Sequence, residues 1–270
     1  MRADTQVRVG REPLAAKVPN TITAWFWVLK LTTTAMGEAA SDYLLNTMSF
    51  VGVGIGAAGF AVALWVQFRT RRYNAFAYWS AVMMVAVFGT MAADVIHHQL
   101  GVTYGMSTLL CGLAVAATFL IWHRSENTLS IHSITTRRRE VFYWLAVSFT
   151  FALGTAAGDL TANQLHFGYV GSIVLFAIVM AVPALGCWRF RLNSVLAFWL
   201  AYIVTRPLGA SVADWVSKPA KVGGLAYGDG PVAAVLLVIA LILVTFVAAR
   251  RSNVMSIGAI SPAWSAETAE

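Results

Sequence analysis

Four carboxylates occupy the same place in a pattern that this chain writes four times. An aromatic-Trp pair is followed by Gly ten residues after the Trp, and by Asp fifteen after it. The copies are Phe26-Trp27, Gly37, Asp42; Tyr78-Trp79, Gly89, Asp94; Tyr143-Trp144, Gly154, Asp159; and Phe198-Trp199, Gly209, Asp214. Each copy lies in a long apolar stretch. An ionisable group at membrane depth is costly, so its default meaning is functional.

The residues at i,i+4 spacing along these segments share one helix face. Lys30, Thr34, Glu38 and Asp42 form the first row. Val82, Ala86, Thr90 and Asp94 form the second, Val147, Phe151, Thr155 and Asp159 the third, and Tyr202, Arg206, Ala210 and Asp214 the fourth. Only the Asp recurs in all four. Glu38 and the four Asp set five carboxylates against two cations at membrane depth, Lys30 and Arg206. Such an excess of acid invites protons or cations, not anions. Carboxylate and Thr oxygens suit a hard divalent ion such as Mg²⁺ or Mn²⁺, and clustered carboxylates can trade a proton for a cation. Thr34, Thr90 and Thr155 join the acids as candidate pathway residues, with Lys30 and Arg206 as internal counter-ions or a gate. Pro207 removes a backbone donor beside Arg206 and predicts a kink. His97 and His98 could ligate a softer ion such as Zn²⁺, although a His pair at a helix end also reads as a solvated terminus.

Apolar helices must position these groups. With 59% apolar residues and a mean hydropathy of +0.69, the chain is not an ordinary soluble domain. A bilayer crossing needs roughly 20 apolar residues, and spans are predicted over 21–45, 50–68, 75–98, 103–122, 141–163, 168–188, 195–216 and 230–249. The expected fold is all-α: a polytopic integral membrane protein of eight transmembrane helices in four parallel two-helix repeats. Parallel repeats are one way to build a transporter from duplicated parts. The units are an N-terminal arm (1–20), repeats at 21–68, 75–122, 141–188 and 195–249, a solvated linker at 123–140, and a disordered tail at 250–270. Trp27, Trp79, Trp144 and Trp199 read as interface anchors. Gly37, Gly89, Gly154 and Gly209 each start a small-xxx-small pair that lets helices approach closely.

The net charge of +7 is distributed for membrane orientation. Arg and Lys crowd the N-terminal arm, the connections 69–74, 123–140 and 189–194, and the C-terminal end, while the other side carries only Lys218 and Lys221. The positive-inside rule places both termini in the cytoplasm. The expected partners are a lipid bilayer and a small cation or proton, with a homo-oligomer compatible and no nucleic acid. Cys111 and Cys187 read as free thiols. HExxH, GxSxG, a phosphate-cradling loop and Cys/His metal spacing are all absent, so enzyme activity is not expected.

Lys30-Leu31-Thr32-Thr33-Thr34, Gly37-Glu38, Ser41-Asp42 and the four Trp-to-Asp copies resemble a bacterial family of membrane-anchored proteins built from the domain-of-unknown-function 347 repeat. The resemblance runs from Thr21 to Arg250, with the first unit the best match. The fourth departs from the pattern in having Lys218 to Gly230 between its helices. The resemblance implies a multi-span protein of the bacterial inner membrane and carries no substrate. The residues themselves favour a transporter of a small cation, a divalent metal such as Mn or Mg, with proton coupling. The alternative is a membrane scaffold, sensor or partner subunit in which the motif only packs helices.

Overall fold

Helix starts fall where side chains can hold free backbone amides. Asn74, Thr103, Thr136 and Asn193 each accept a hydrogen bond from an amide of the first turn they precede, the N-cap arrangement. The computed structural model describes residues 17–19 and 21–260, with His98 and 251–260 described by backbone alone. Seven α-helices make up this part: α1 (Ala24–Arg69), α2 (Ala75–Asp94), α3 (Tyr104–Glu126), α4 (Arg137–Asp159), α5 (Gly168–Phe190), α6 (Ser194–Ser217) and α7 (Asp229–Ile260). A π-helical turn follows Asp94 over Val95–Gln99, and another follows Asp159 over Leu160–Gln164. All seven helices are long and apolar enough to cross a membrane.

The expectation of eight helices is therefore corrected to seven. The predicted spans 21–45 and 50–68 form one 46-residue element, broken only at Ser49, where φ is 47° and ψ is −124°. A single residue in this conformation turns α1 back without a loop. Before Ser49 the chain runs alongside α2, with Phe26 against Trp79 and Glu38 against Thr90. After it the direction is opposite, with Gly56 beside Met91 and Gly59 beside Met84.

The first arm of α1, together with α2, α4 and α6, closes into a ring in which each helix packs on the next. The second arm of α1, α3, α5 and α7 lie outside it. In their most apolar windows α2, α4 and α6 are 61%, 56% and 56% buried, against 28%, 17% and 22% for α3, α5 and α7. Amphipathic periodicity cannot separate these groups, because the outer helices are apolar on every face.

The motif glycines make the ring tight. A Cβ on Gly37 would collide with Ala86 of α2, one on Gly89 with Phe151 of α4, one on Gly154 with Arg206 of α6, and one on Gly209 with Thr34 of α1. Each glycine thus meets the residue seven after the motif Trp in the neighbouring copy. Three of the motif tryptophans do not anchor at a lipid interface. Trp79, Trp144 and Trp199 are buried in an aromatic layer with Phe26, Tyr78 and Tyr143; Trp27 is partly buried against Phe198. The Trp199 indole donates to the Leu129 carbonyl at 2.9 Å.

That carbonyl belongs to the 123–140 connection, which packs on the bundle end, burying Ile131 and Ile134. At the same end Lys17 donates to Glu140 at 2.8 Å and to the Phe68 carbonyl at 3.2 Å, so the segment before α1 is tied to α1 and α4. Residues 1–16 and 20 of the predicted N-terminal arm lie outside the described residues. So does the end of the predicted tail, from residue 261; α7 itself continues to Ile260.

The ring makes the same substitution costly at one glycine and harmless at another. Gly89→Ala, whose Cβ would lie 2.8 Å from Phe151 Cβ, should destabilise by about 1–3 kcal/mol. Gly54→Ala has nothing within 4 Å and should not. Thermal unfolding in detergent checks both; equal stability of the two variants would contradict the packing described.

Candidate cation site

Because the four motif copies enter the ring in the same direction, their Asp residues emerge at one end. There they line a single cavity of about 430 Å³ together with Glu38. Asp42 and Glu38 come from α1, Asp94 from α2, Asp159 from α4 and Asp214 from α6. Asn46, Gln99, Tyr104, Asn163, Tyr169 and Lys218 complete the wall. Exposed Asn46, Ser49 and Gln99 mark the open end, while Glu38 is only 4% exposed and Asp214 8%.

Glu38, Asp42 and Asp214 form the tightest group, each offering a carboxylate oxygen within 4.8 Å of the others. Three carboxylates at this spacing can in principle coordinate a metal ion, and the donors are all oxygen, which selects hard cations. Two protein cations already touch the group. Arg206 reaches Glu38 at 2.7 Å and Lys218 reaches Asp42 at 2.5 Å. Asp94, Asp159 and Asp214 have no ion-pair partner among the described residues, and Asp94 Oδ2 is buried without a hydrogen bond.

Arg206 lies beneath the cavity, fully buried and bonded to Glu38 of its lining. Its guanidinium donates to the Thr34 carbonyl at 3.3 Å and to Glu38 of α1, to the Thr90 hydroxyl of α2, and to the Thr155 hydroxyl of α4 at 2.7 Å. One side chain of α6 therefore bonds to the other three ring helices. Thr90 also donates to Glu38 at 3.1 Å. The three threonines expected along a pathway thus surround Arg206 beneath the acids and do not form the cavity wall.

Lys30 differs from Arg206 despite sharing its predicted role. Its ammonium is buried without a hydrogen-bond partner, over the rings of Phe151 at 3.9 Å and Tyr202 at 4.1 Å. It lies in a cation–π setting and pairs with no carboxylate among the described residues. Beyond it Tyr78 and Tyr143 share a 2.6 Å hydrogen bond, so this half of the ring is filled with large side chains.

His97 is not on the cavity wall. Its Nδ1 lies 2.7 Å from the Val102 carbonyl, and its ring stacks on Tyr104 at 3.6 Å. The His98 side chain lies outside the described residues. Lys218 and Asp229 were not singled out as site residues, yet Lys218 bridges Asp42 and Asp229, the latter at 3.1 Å. Burial pulls the Lys218 ammonium down, but Asp42, Asp214 and Asp229 together hold its pKa above the ordinary lysine value. The available signal was that Lys218 and Lys221 are the only cations on the carboxylate side.

Removing Arg206 alone leaves Glu38 buried without its partner, a loss of about 3–5 kcal/mol. Arg206→Met should therefore lower thermal stability in detergent sharply, and adding Glu38→Leu should recover part of the loss. A double variant no more stable than Arg206→Met would show that the ion pair is not the source.

No curated protein and no solved structure matches this chain. The family profile described as Repeat of Unknown Function (DUF347) matches three times, over residues 77–128, 142–193 and 197–254. These segments take in α2–α3, α4–α5 and α6–α7. The expected four repeats are thereby corrected to three, and the first unit, expected to match best, lies outside the matched residues although α1 carries the same Trp-Gly-Asp spacing. The matched segments make up more than half of the chain, which belongs to the DUF347 repeat family.

Proposed function

We propose that the protein is a membrane transporter of a small hard cation, a divalent ion such as Mn²⁺ or Mg²⁺, exchanged against protons at the carboxylate cavity. The observation that carries this reading is the convergence of five carboxylates from four helices on one cavity with only two direct cation partners among the described residues. A cavity of about 430 Å³ is far larger than a bare ion, so it has room for a partly hydrated one, as Mg²⁺ prefers. Among the described residues that line it there is no Cys or His, which supports a hard ion over Zn²⁺. The basic connections lie at the opposite end, so the positive-inside rule directs the cavity away from the cytoplasm. Arg206 is placed to act as counter-ion and gate, because entry deeper than Glu38 requires it to move.

A second reading, a non-transporting scaffold or partner subunit, is favoured by one observation: Arg206 bonds to three helices around it, as a purely architectural staple would. Flux separates the two. Asp94→Asn combined with Asp159→Asn removes two acids that have no ion-pair partner among the described residues and should leave the bundle assembled. In proteoliposomes this variant should lose Mn²⁺ or Mg²⁺ flux at least about tenfold, the effect of some 1.4 kcal/mol. Wild-type flux in a correctly assembled double variant would remove the transport reading.

A further inference from the structure

The transport reading leaves Lys218 without a task, yet among the described residues it is the only cation on the cavity wall. It stands on Asp42, one member of the carboxylate triad, at 2.5 Å. A cation coordinated by Asp42 and the Lys218 ammonium would compete for the same oxygens. The triad is more than a loose acidic cluster, because Asp214 is 8% exposed and lines the cavity, and its carboxylate has no hydrogen-bond or ion-pair partner among the described residues.

The two cations that touch the triad are held in different ways. Arg206 is fixed by Glu38, a backbone carbonyl and two threonines, with its side chain 1% exposed. Lys218 is held by two carboxylates, and its side chain is 22% exposed. Its backbone is pinned: Lys218 N–H donates to the Asp214 carbonyl at 2.9 Å, and its own carbonyl accepts from Ala226 N–H at 2.8 Å. Neighbouring bonds from Leu225 to Trp215 and from Gly228 to Ser217 fasten the same segment to the end of α6. The flexible four-carbon stem can therefore swing while the loop stays in place. Asp229, at the start of α7, offers a second carboxylate that the ammonium already touches at 3.1 Å.

We infer that Lys218 is a tethered competitor: its ammonium occupies the Asp42 side of the triad, and an incoming divalent cation binds by displacing it toward Asp229. This rests on the cation reading above and adds to it the residue that sets how tightly the ion is held. A built-in ammonium keeps the site from retaining its ion, since affinity falls in proportion to the fraction of protein whose site is open. Transport needs that weakness for release.

The test is Mn²⁺ binding to the purified full chain in detergent, read from the paramagnetic resonance signal of free Mn²⁺. Lys218→Ala and Lys218→Met should each bind Mn²⁺ about tenfold more tightly than wild type, as for a site open in about one tenth of the wild-type molecules. Lys218→Arg, which keeps a tethered cation, should bind as wild type. Removing a nearby positive charge would tighten binding even without competition, so a second measurement separates the two. Ethylammonium added to Lys218→Ala should return Mn²⁺ affinity to the wild-type level, whereas tetramethylammonium, which cannot donate a hydrogen bond, should not. Equal effects of the two amines, or no tightening in either neutral variant, would overturn the displacement while leaving the transport reading intact. If wild type and all three variants bind no Mn²⁺ or Mg²⁺, both proposals fall together.

Discussion

The ring is organised around one guanidinium. Arg206 sits where four helices meet and has donors enough to satisfy groups on three of them at once, which a planar fork does and a single ammonium does not. Its position follows from the motif glycines. Each removes a side chain where the next copy presents its residue seven after the Trp, and Gly154 in particular leaves space for Arg206 and Pro207. Close backbone approach and a shared central cation are therefore one constraint. A bulkier residue at the glycines would push apart the hydroxyls and the carboxylate that satisfy the arginine.

The stripe down the inside of the ring changes character in layers. Carboxylates line the open cavity, Arg206 with its threonines lies buried beneath them, and Lys30 lies against Phe151 and Tyr202. The Tyr78–Tyr143 pair and the buried tryptophans fill the rest. Phe151 touches both cations, its ring lying 3.9 Å from Lys30 Nζ and 5.2 Å from Arg206 Cζ. Acid thus collects at one end of the bundle and aromatic bulk at the other. The polar end admits water-sized ligands, and the aromatic end supplies the dispersion contacts that hold helices together where lipid removes the hydrophobic drive for association.

Much of this was legible in the residues. Long apolar runs locate six of the helices, and Asn or Thr caps fix the starts of four of them, because length and capping are local properties. The i,i+4 stripe predicted that Glu38 shares a helix face with Asp42, and the equal spacing placed an Asp at the same point of all four copies. Several features were hidden. The two predicted spans of α1 join into one element because Ser49 adopts a left-handed conformation that Ser does not advertise. Tryptophans near span ends look like lipid anchors whichever way they face, and only the neighbouring helices decide that Trp79, Trp144 and Trp199 point inward. His97 looks like a ligand in sequence, yet the π-helical turn after Asp94 carries it to a backbone carbonyl and Tyr104.

The amino-acid sequence by itself determined what is periodic and what is short-range: an all-α chain, the helix faces that carry charge, and an excess of acid over base within the long apolar segments. Tertiary structure decided which charges meet. Arg206 lies 168 residues from Glu38 and Lys218 lies 176 residues from Asp42. No local rule links such distant positions, and in lipid the outer and inner faces of a helix are equally apolar. Only closure of the ring places one cation beneath the cavity and one on its wall, and leaves Lys30 among aromatic rings with no carboxylate partner among the described residues.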